Sequence, residues 1–351
     1  MRKTDGQLPY ALRGPRFAAV AFALAALSAL GLCLCISWGA VRMPLHELIA
    51  AVKAHLRAPG SGGTAELIIF GIRLPRALMA YTVGMCLSLG GVTMQGIFKN
   101  PMAEPHILGV SSGAALGAAI TLVFGLGSGF LGLGVMSVGA LFGGAGAALL
   151  VLGLSGGGRG STTNLLLSGV AVGTFLTAML SGLLMLNHDK METVYTWTMG
   201  SFSAATMTKV QLILPVAIVG YIVIRCFARE LNAMLMGESD ARALGVNVGR
   251  VRILLLCVST LMTATSVAMS GIIGFVGLMV PHAVGFIVGP DHRAVVPVSA
   301  LLGGLYLMVM DTCARTLFAP VEMSVGVLTA LLGGPFFLIL LRRNRRMGGA
   351  S

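Results

Sequence analysis

Charge is what this sequence has least of. Only 10% of its 351 residues are charged, with 12 acids against 24 bases, where a soluble domain carries roughly a quarter. A water-covered globular surface is therefore excluded. Aromatics are also sparse, at 6% with two tryptophans. There is no C-x-x-C pair and no cysteine with a histidine at ligand spacing, so neither a zinc site nor a redox motif is encoded. Cys33, Cys35, Cys86, Cys226, Cys257 and Cys313 fall in or at the edges of apolar runs and read as small core residues. The 49 glycines follow no three-residue period, which excludes collagen.

What fills the sequence instead is hydrocarbon: 56% of residues are hydrophobic and the mean hydropathy is +0.92. The apolar runs are about 18 to 25 residues long, which suits membrane-spanning helices rather than the segments of about ten residues that build barrels. They fall at 17–38, 75–97, 107–126, 130–154, 164–186, 207–227, 251–270, 273–289, 295–317 and 324–341. The fold class predicted is all-α, a polytopic membrane bundle of about ten helices forming a single domain over 1–351. Ten spans of about 20 residues use about 200 positions, so no room is left for a folded soluble domain. The eighth run is broken by Gly271, Gly274, Gly277, Pro281, Gly285 and Gly289, as happens where backbone must bend or line a pathway.

The basic excess sets orientation. Arg2, Lys3, Arg13 and Arg16 precede the first span, and Arg342, Arg343, Arg345 and Arg346 follow the last. The segments 1–16 and 342–351 are thus expected in the cytoplasm, consistent with an even number of spans. Threading the chain this way puts 16 basic residues inside and 8 outside. Five of those outside are Arg42, Lys53, Arg57, Arg73 and Arg76, in the predicted outer connection 39–74 and at the start of the next span. Because the charges flank spans, no basic domain exists to hold nucleic acid.

Gly109, Gly113 and Gly117 form small-x-x-x-small steps, and Gly139, Gly143, Gly144 and Gly146 crowd the next span, a pattern for close helix packing. Gly109-Val-Ser-Ser-Gly113 and Gly156 to Thr162 mimic a hydrolase elbow and a phosphate loop. The first lacks a preceding strand and the second lacks the lysine, so neither predicts an enzyme.

The stretch 228–249 is the informative one. Gly237 can stop one short helix, Ser239 can cap a second with Glu238 and Asp240 at its positive end, and Gly245 can stop that. Two short amphipathic helices with exposed Met236 and Leu244 are expected here, read either as a knob suited to a partner's groove or as a plain solvated loop.

From Ile72 to Arg343 the sequence resembles the FecCD family, permease subunits of ABC importers for iron-siderophore complexes, heme and cobalamin. The markers are Arg73-Leu-Pro-Arg76; Gln95 with Asn100-Pro-Met-Ala-Glu-Pro105; Leu108-Gly-Val-Ser-Ser-Gly-Ala114; Leu231-Asn-Ala; Gly237-Glu with Ala241-Arg-Ala-Leu-Gly245; Pro281-His282; Gly289-Pro-Asp-His-Arg293; Asp311 to Arg315; and Glu322 to Gly326. The resemblance implies a type II importer permease fold in a bacterial inner membrane. Its partners would be a second permease subunit (a homodimer), two ATPase subunits and an external substrate-binding protein. The chain itself would hold no metal or cofactor, ATP and Mg being used by the ATPase. The cargo expected first is a ferric siderophore, with heme or cobalamin as the alternative.

Residue by residue, the resemblance implies that Arg73, Arg76 and Arg315 meet acids of the binding protein. The residues alone also allow interfacial snorkelling, or an i, i+4 pair of Arg315 with Asp311. A cytoplasmic gate is implied at Asn100, Met102, Thr162 and Thr163, and coupling to the ATPase at Glu238, Ser239, Ala241, Arg242, Leu244 and Gly245. Gly285 departs from the arginine found in many relatives, and Met323-Ser324 replaces the usual Leu/Ile-Pro. An ion-coupled secondary transporter is the competing reading on composition. It wants a mid-membrane carboxylate, histidine or lysine, and only His282 is placed for that, where a hydrogen-bonded structural residue is the simpler expectation.

Overall fold

The computed structural model describes residues 15–39, 44–58, 63–126, 133–156 and 162–348, and among these there is no strand. The helices in chain order are α1 Pro15–Ser37, α2 Leu45–Arg57, α3 Gly63–Phe98, α4 Val110–Val123, α5 Val135–Leu154, α6 Thr162–Met185 and α7 His188–Thr198. They continue with α8 Met207–Cys226, α9 Ala228–Met236, α10 Glu238–Ala243, α11 Val248–Ser270, α12 Val276–Val288, α13 His292–Thr316 and α14 Val325–Gly348. Each of the ten predicted runs contains one apolar helix. Seven of these are long enough to span a membrane, and α4, α12 and the apolar part of α14 are shorter. By the charge asymmetry, the end bearing α9 and α10 is here called inner, and that bearing α2 and α7 outer.

Four connections differ from expectation. The stretch 39–74, read as a connection, contains α2 and the first turns of α3, which pass through a π-helical stretch at Leu67–Arg73. The outer connection 187–206 contains α7. The tight turn expected near 271 is a five-residue non-helical stretch, 271–275, and Pro105–Leu108 forms a 3-10 turn before α4. With 14 and 13 residues, α4 and α12 rise only about 21 and 20 Å, less than the core of about 30 Å. Their ends therefore lie at membrane depth, where irregular backbone is tolerated because it is buried in protein. Residues 1–14, Arg42 and Arg159 lie outside the described residues, as do 349–351.

The core forms around α3, most of whose side chains are buried. It is reached by bare backbone: a Cβ on Gly84 would sit 2.2 Å from the Gly303 carbonyl of α13, and one on Gly91 1.8 Å from that of Gly277 on α12. The small-residue steps pack α4 on α5, where a Cβ on Gly113 would lie 2.4 Å from the Gly143 carbonyl and one on Gly117 2.1 Å from that of Gly139. Without a hydrophobic drive between helices in lipid, this close approach supplies the dispersion contact that holds them. Gly109 does otherwise: at φ 73° it caps the start of α4. Cys33, Cys226 and Cys257 correct the reading of all six cysteines as core, since they lie exposed on outward faces.

Candidate functional site

At the inner end, α9 and α10 form the expected knob. Gly237, at φ 151°, separates them and is itself the N-cap of α10, so Ser239 lies in the first turn rather than capping it. Leu231, Met234 and Ala241 are buried and anchor the pair. Ser239, Arg242 and Gly245 are exposed, with Met236 at 70% and Leu244 at 65%. Glu238 pairs with Arg252 of α11 and with Arg242 at 3.4 Å. The Arg252 hydrogen bond, helped by the charges of Arg242 and Lys99, holds the Glu238 carboxyl below the usual range despite partial desolvation.

A clip that sequence reasoning missed ties this knob to α13. Asn232 donates from Nδ2 to Asp291 Oδ1 at 2.7 Å, and its Oδ1 accepts from the His292 backbone N–H at 2.9 Å. The His292 ring lies 2.9 Å from the same oxygen through Nδ1. Both partners belong to marker motifs, Leu231-Asn-Ala and Gly289-Pro-Asp-His-Arg293, so their joint occurrence was the available signal. Asp291 also caps α13 through the Arg293 backbone N–H.

The four residues expected at a gate occupy two segments. Asn100 and Met102 are exposed beyond α3, with Asn100 Oδ1 accepting the Met102 N–H at 2.9 Å. Thr162 is half-buried and Thr163 exposed at the start of α6. The 3-10 turn that follows Met102 abuts α6, since a Cβ on Gly169 would lie 2.1 Å from the Ile107 carbonyl. Beside this contact runs a cleft of about 600 Å3 lined by His106, Ser112, Gly169, Gly173, Thr177 and Ser181. Counting along α6, Thr163, Leu167, Val170, Thr174, Thr177 and Ser181 share one face at helical spacing, and all are exposed. Its hydroxyls are mostly turned back: Thr174 and Ser181 each donate to the carbonyl four residues earlier. That leaves a weakly polar wall.

His106 joins the two helix breaks. One ring nitrogen meets Ser111 Oγ and the other lies 3.2 Å from the Ile273 carbonyl, linking the turn before α4 to the non-helical stretch before α12. His282 differs from expectation: its Nε2 is buried without a hydrogen-bond partner, and its ring packs edge-on against Phe286 at 4.7 Å. It borders a cavity of about 330 Å3 with Gln95, Lys99, Asn100, Gly285 and His292. A Cβ on Gly285 would meet nothing within 4 Å, so the departure at this position leaves open space.

At the outer end, Arg73, Arg76 and Arg315 lie close to one another in the fold but do not face outward: they are 5%, 8% and 6% exposed. Arg73 donates to the Ile36 and Ser37 carbonyls at 2.7 and 3.1 Å, and Arg315 to the Cys35 carbonyl. These are C-terminal carbonyls of α1, which lack partners within the helix and sit at its negative end. Arg76 grips buried Asp311 through Nε and Nη2, at 2.9 and 3.0 Å, and Glu322 through Nη1 at 2.9 Å. The i, i+4 hydrogen bond from Arg315 to Asp311 does not form, because Asp311 is taken by Arg76. Of this network the half-exposed Glu322 is the member turned outward.

The family model described as the FecCD transport family matches residues 23–343. A cobalamin import permease of Halobacterium salinarum is 46% identical over 86% of this chain and 80% of its own length. A hemin transport permease of Yersinia pestis is 42% identical over 78% of this chain and 83% of its own. An iron(3+)-hydroxamate import permease of Bacillus subtilis is 36% identical over 91% and 82%. Among solved structures, an inward-facing metal-chelate type ABC transporter superposes with a TM-score of 0.80 at 30% identity, covering 93% of this chain and 99% of that one. On a match that spans nearly the whole bundle, the chain belongs to the FecCD transport family.

Proposed function

We propose that the chain is the membrane subunit of an ATP-driven importer of bulky metal chelates, working as a pair of copies with two ATPase subunits and an external binding protein. The observation that carries this reading is the knob of α9 and α10, which presents Met236 and Leu244 while Leu231, Met234 and Ala241 fix it to the bundle. Exposed apolar side chains on a buried anchor suit a groove in a soluble ATPase. Motion of that partner would pass through the Asn232 clip to α13 as a rigid-body displacement. ATP and Mg would be consumed in the ATPase.

The exposed face of α6 supports a pathway shared with a second copy. Its small hydroxyl and aliphatic side chains offer shape without strong binding, which suits passage of a large chelate. Asn100, Met102, Thr162 and Thr163 stand at its inner end as the gate. At the outer end, the docking assigned to Arg73, Arg76 and Arg315 is proposed to act through the surface they hold in place, with Glu322 and the exposed Leu317, Phe318 and Val321 around it. Both termini are taken as cytoplasmic.

A ferric siderophore is the first cargo to test. Cobalamin and heme form a second reading, favoured by the relatives at 46% and 42% identity. The experiment is uptake into proteoliposomes containing the permease with its ATPase and binding protein, offered a ferric siderophore, hemin or cyanocobalamin in turn. ATP-dependent uptake of one of them is expected. Uptake by the permease alone, driven by an ion gradient, would overturn the reading.

A further inference from the structure

The helix α2, Leu45–Arg57, has no part in the pathway, the knob or the arginine hub, yet its position is tightly defined. His55 stacks on Phe70 of α3, with ring centroids 3.9 Å apart at 15°, and its Nδ1 lies 2.5 Å from Glu66 Oε1. Ala51 and Ile69 form a small apolar cluster with Leu48, Ile68 and Ile36. Ile36 is the penultimate residue of α1, so α2 lies at the depth where the first span ends. That is the membrane-water interface, and exposed Trp38 stands at the same level.

The faces of α2 follow from about 100° per residue. Ala51, Leu48 and His55 turn toward α3. Next comes an apolar edge of Val52, Ile49 and Leu56, with Leu56 80% exposed among the described residues. Lys53, His46 and Arg57 follow, all exposed. Glu47, the acid of this helix, lies about 160° to 180° from Ile49 and Leu56. Cations border the apolar edge and the acid is turned away, which is the charge distribution of a helix lying in an anionic lipid surface. The exposed Leu67 and Ile72 of α3 continue the apolar surface along the neighbouring span.

We propose that α2 is an interfacial helix that inserts Ile49, Val52 and Leu56 among lipid acyl chains and binds anionic headgroups through Lys53 and Arg57. In this position it braces the outer end of α1, whose terminal carbonyls Arg73 and Arg315 cap, against the bilayer.

The test uses the full chain in nanodiscs, with Leu56→Trp introduced after Trp38→Phe and Trp197→Phe, and Ile49→Trp in the same background as a second probe. Brominated phosphatidylcholine should quench either probe at least about twofold, as for a side chain buried in the acyl boundary. Adding phosphatidylglycerol should raise the unfolding midpoint of the wild-type chain, and the double change Lys53→Glu, Arg57→Glu should abolish that rise. Emission from both probes that bromolipid leaves unquenched would overturn the proposal: red-shifted, the edge faces water, and blue-shifted, it faces protein. Quenching with no response of the midpoint to phosphatidylglycerol would overturn the headgroup contact.

Discussion

Arg76 and Asp311 stand 235 positions apart in sequence and meet through two guanidinium nitrogens, Nε at 2.9 Å and Nη2 at 3.0 Å, at a site where both side chains are almost fully buried. A buried pair of this kind adds little net stability over an apolar pair, but breaking it strands a charge. Asp311→Asn should therefore destabilise the folded chain by about 3–5 kcal/mol, read as a lower unfolding midpoint in detergent. Adding Arg76→Met should recover part of the loss, because the buried guanidinium left with only the half-exposed Glu322 is gone.

Glu322 holds the same arginine from a half-exposed position, so solvent screens it. Glu322→Gln should cost less than about 1 kcal/mol in the same assay, while changing the charge of the surface offered to a docking protein. If Glu322→Gln were as damaging as Asp311→Asn, the outer acid would be structural rather than a surface feature.

The Asn232 clip predicts a separation of activities. Asn232→Leu leaves the His292 backbone N–H and the Asp291 carboxylate without this partner, a local cost of about 1–3 kcal/mol. In the assembled transporter the ATPase should still associate and hydrolyse ATP, since Met236 and Leu244 are untouched, while transport per ATP falls severalfold. Equal loss of hydrolysis and transport would show that the clip serves folding alone.

Spans and knob were legible because their determinants are local: a run of apolar side chains, or a glycine where the backbone takes a positive φ, as at Gly237 and Gly245. The helix α2 escaped a reading based on apolar runs, since Leu-His-Glu-Leu-Ile-Ala-Ala-Val-Lys-Ala-His-Leu-Arg is amphipathic and short. The burial of the three arginines was not legible. What buries Arg76 comes from α13 and the stretch before α14, and what binds Arg73 and Arg315 is main chain of α1, which leaves no mark in a side-chain pattern. The same holds for His106, whose second partner is the Ile273 carbonyl.

Glu238 gives the knob a pH dependence of defined sign. Its folded carboxyl is held below the ordinary range, chiefly by Arg252, so its contribution is fully present above the unfolded value and is lost as pH falls through the lowered folded value. Association of the knob with its ATPase should be flat near neutrality and weaken only in acid. Carbon-13 titration of the Glu238 carboxyl should show a midpoint below that of free glutamate, and Arg252→Gln should move it back up.

Two glycines of neighbouring helices separate close packing from mere abundance. On α4, a Cβ at Gly117 would lie 2.1 Å from the Gly139 carbonyl oxygen and 2.8 Å from its carbon, whereas one at Gly146 of α5 meets nothing within 4 Å. The obstacle at Gly117 is backbone, so Gly117→Ala has to push α5 away and forfeits dispersion contact along the whole α4–α5 seam. A loss of about 1–3 kcal/mol is expected, as for other overpacked sites. Gly146→Ala should be neutral or stabilising by up to about 1 kcal/mol, because alanine is the better helix former. Measured together as unfolding midpoints in one detergent, the pair controls for any general effect of replacing glycine. If the two substitutions behaved alike, the close contact between α4 and α5 would not be what holds that part of the bundle.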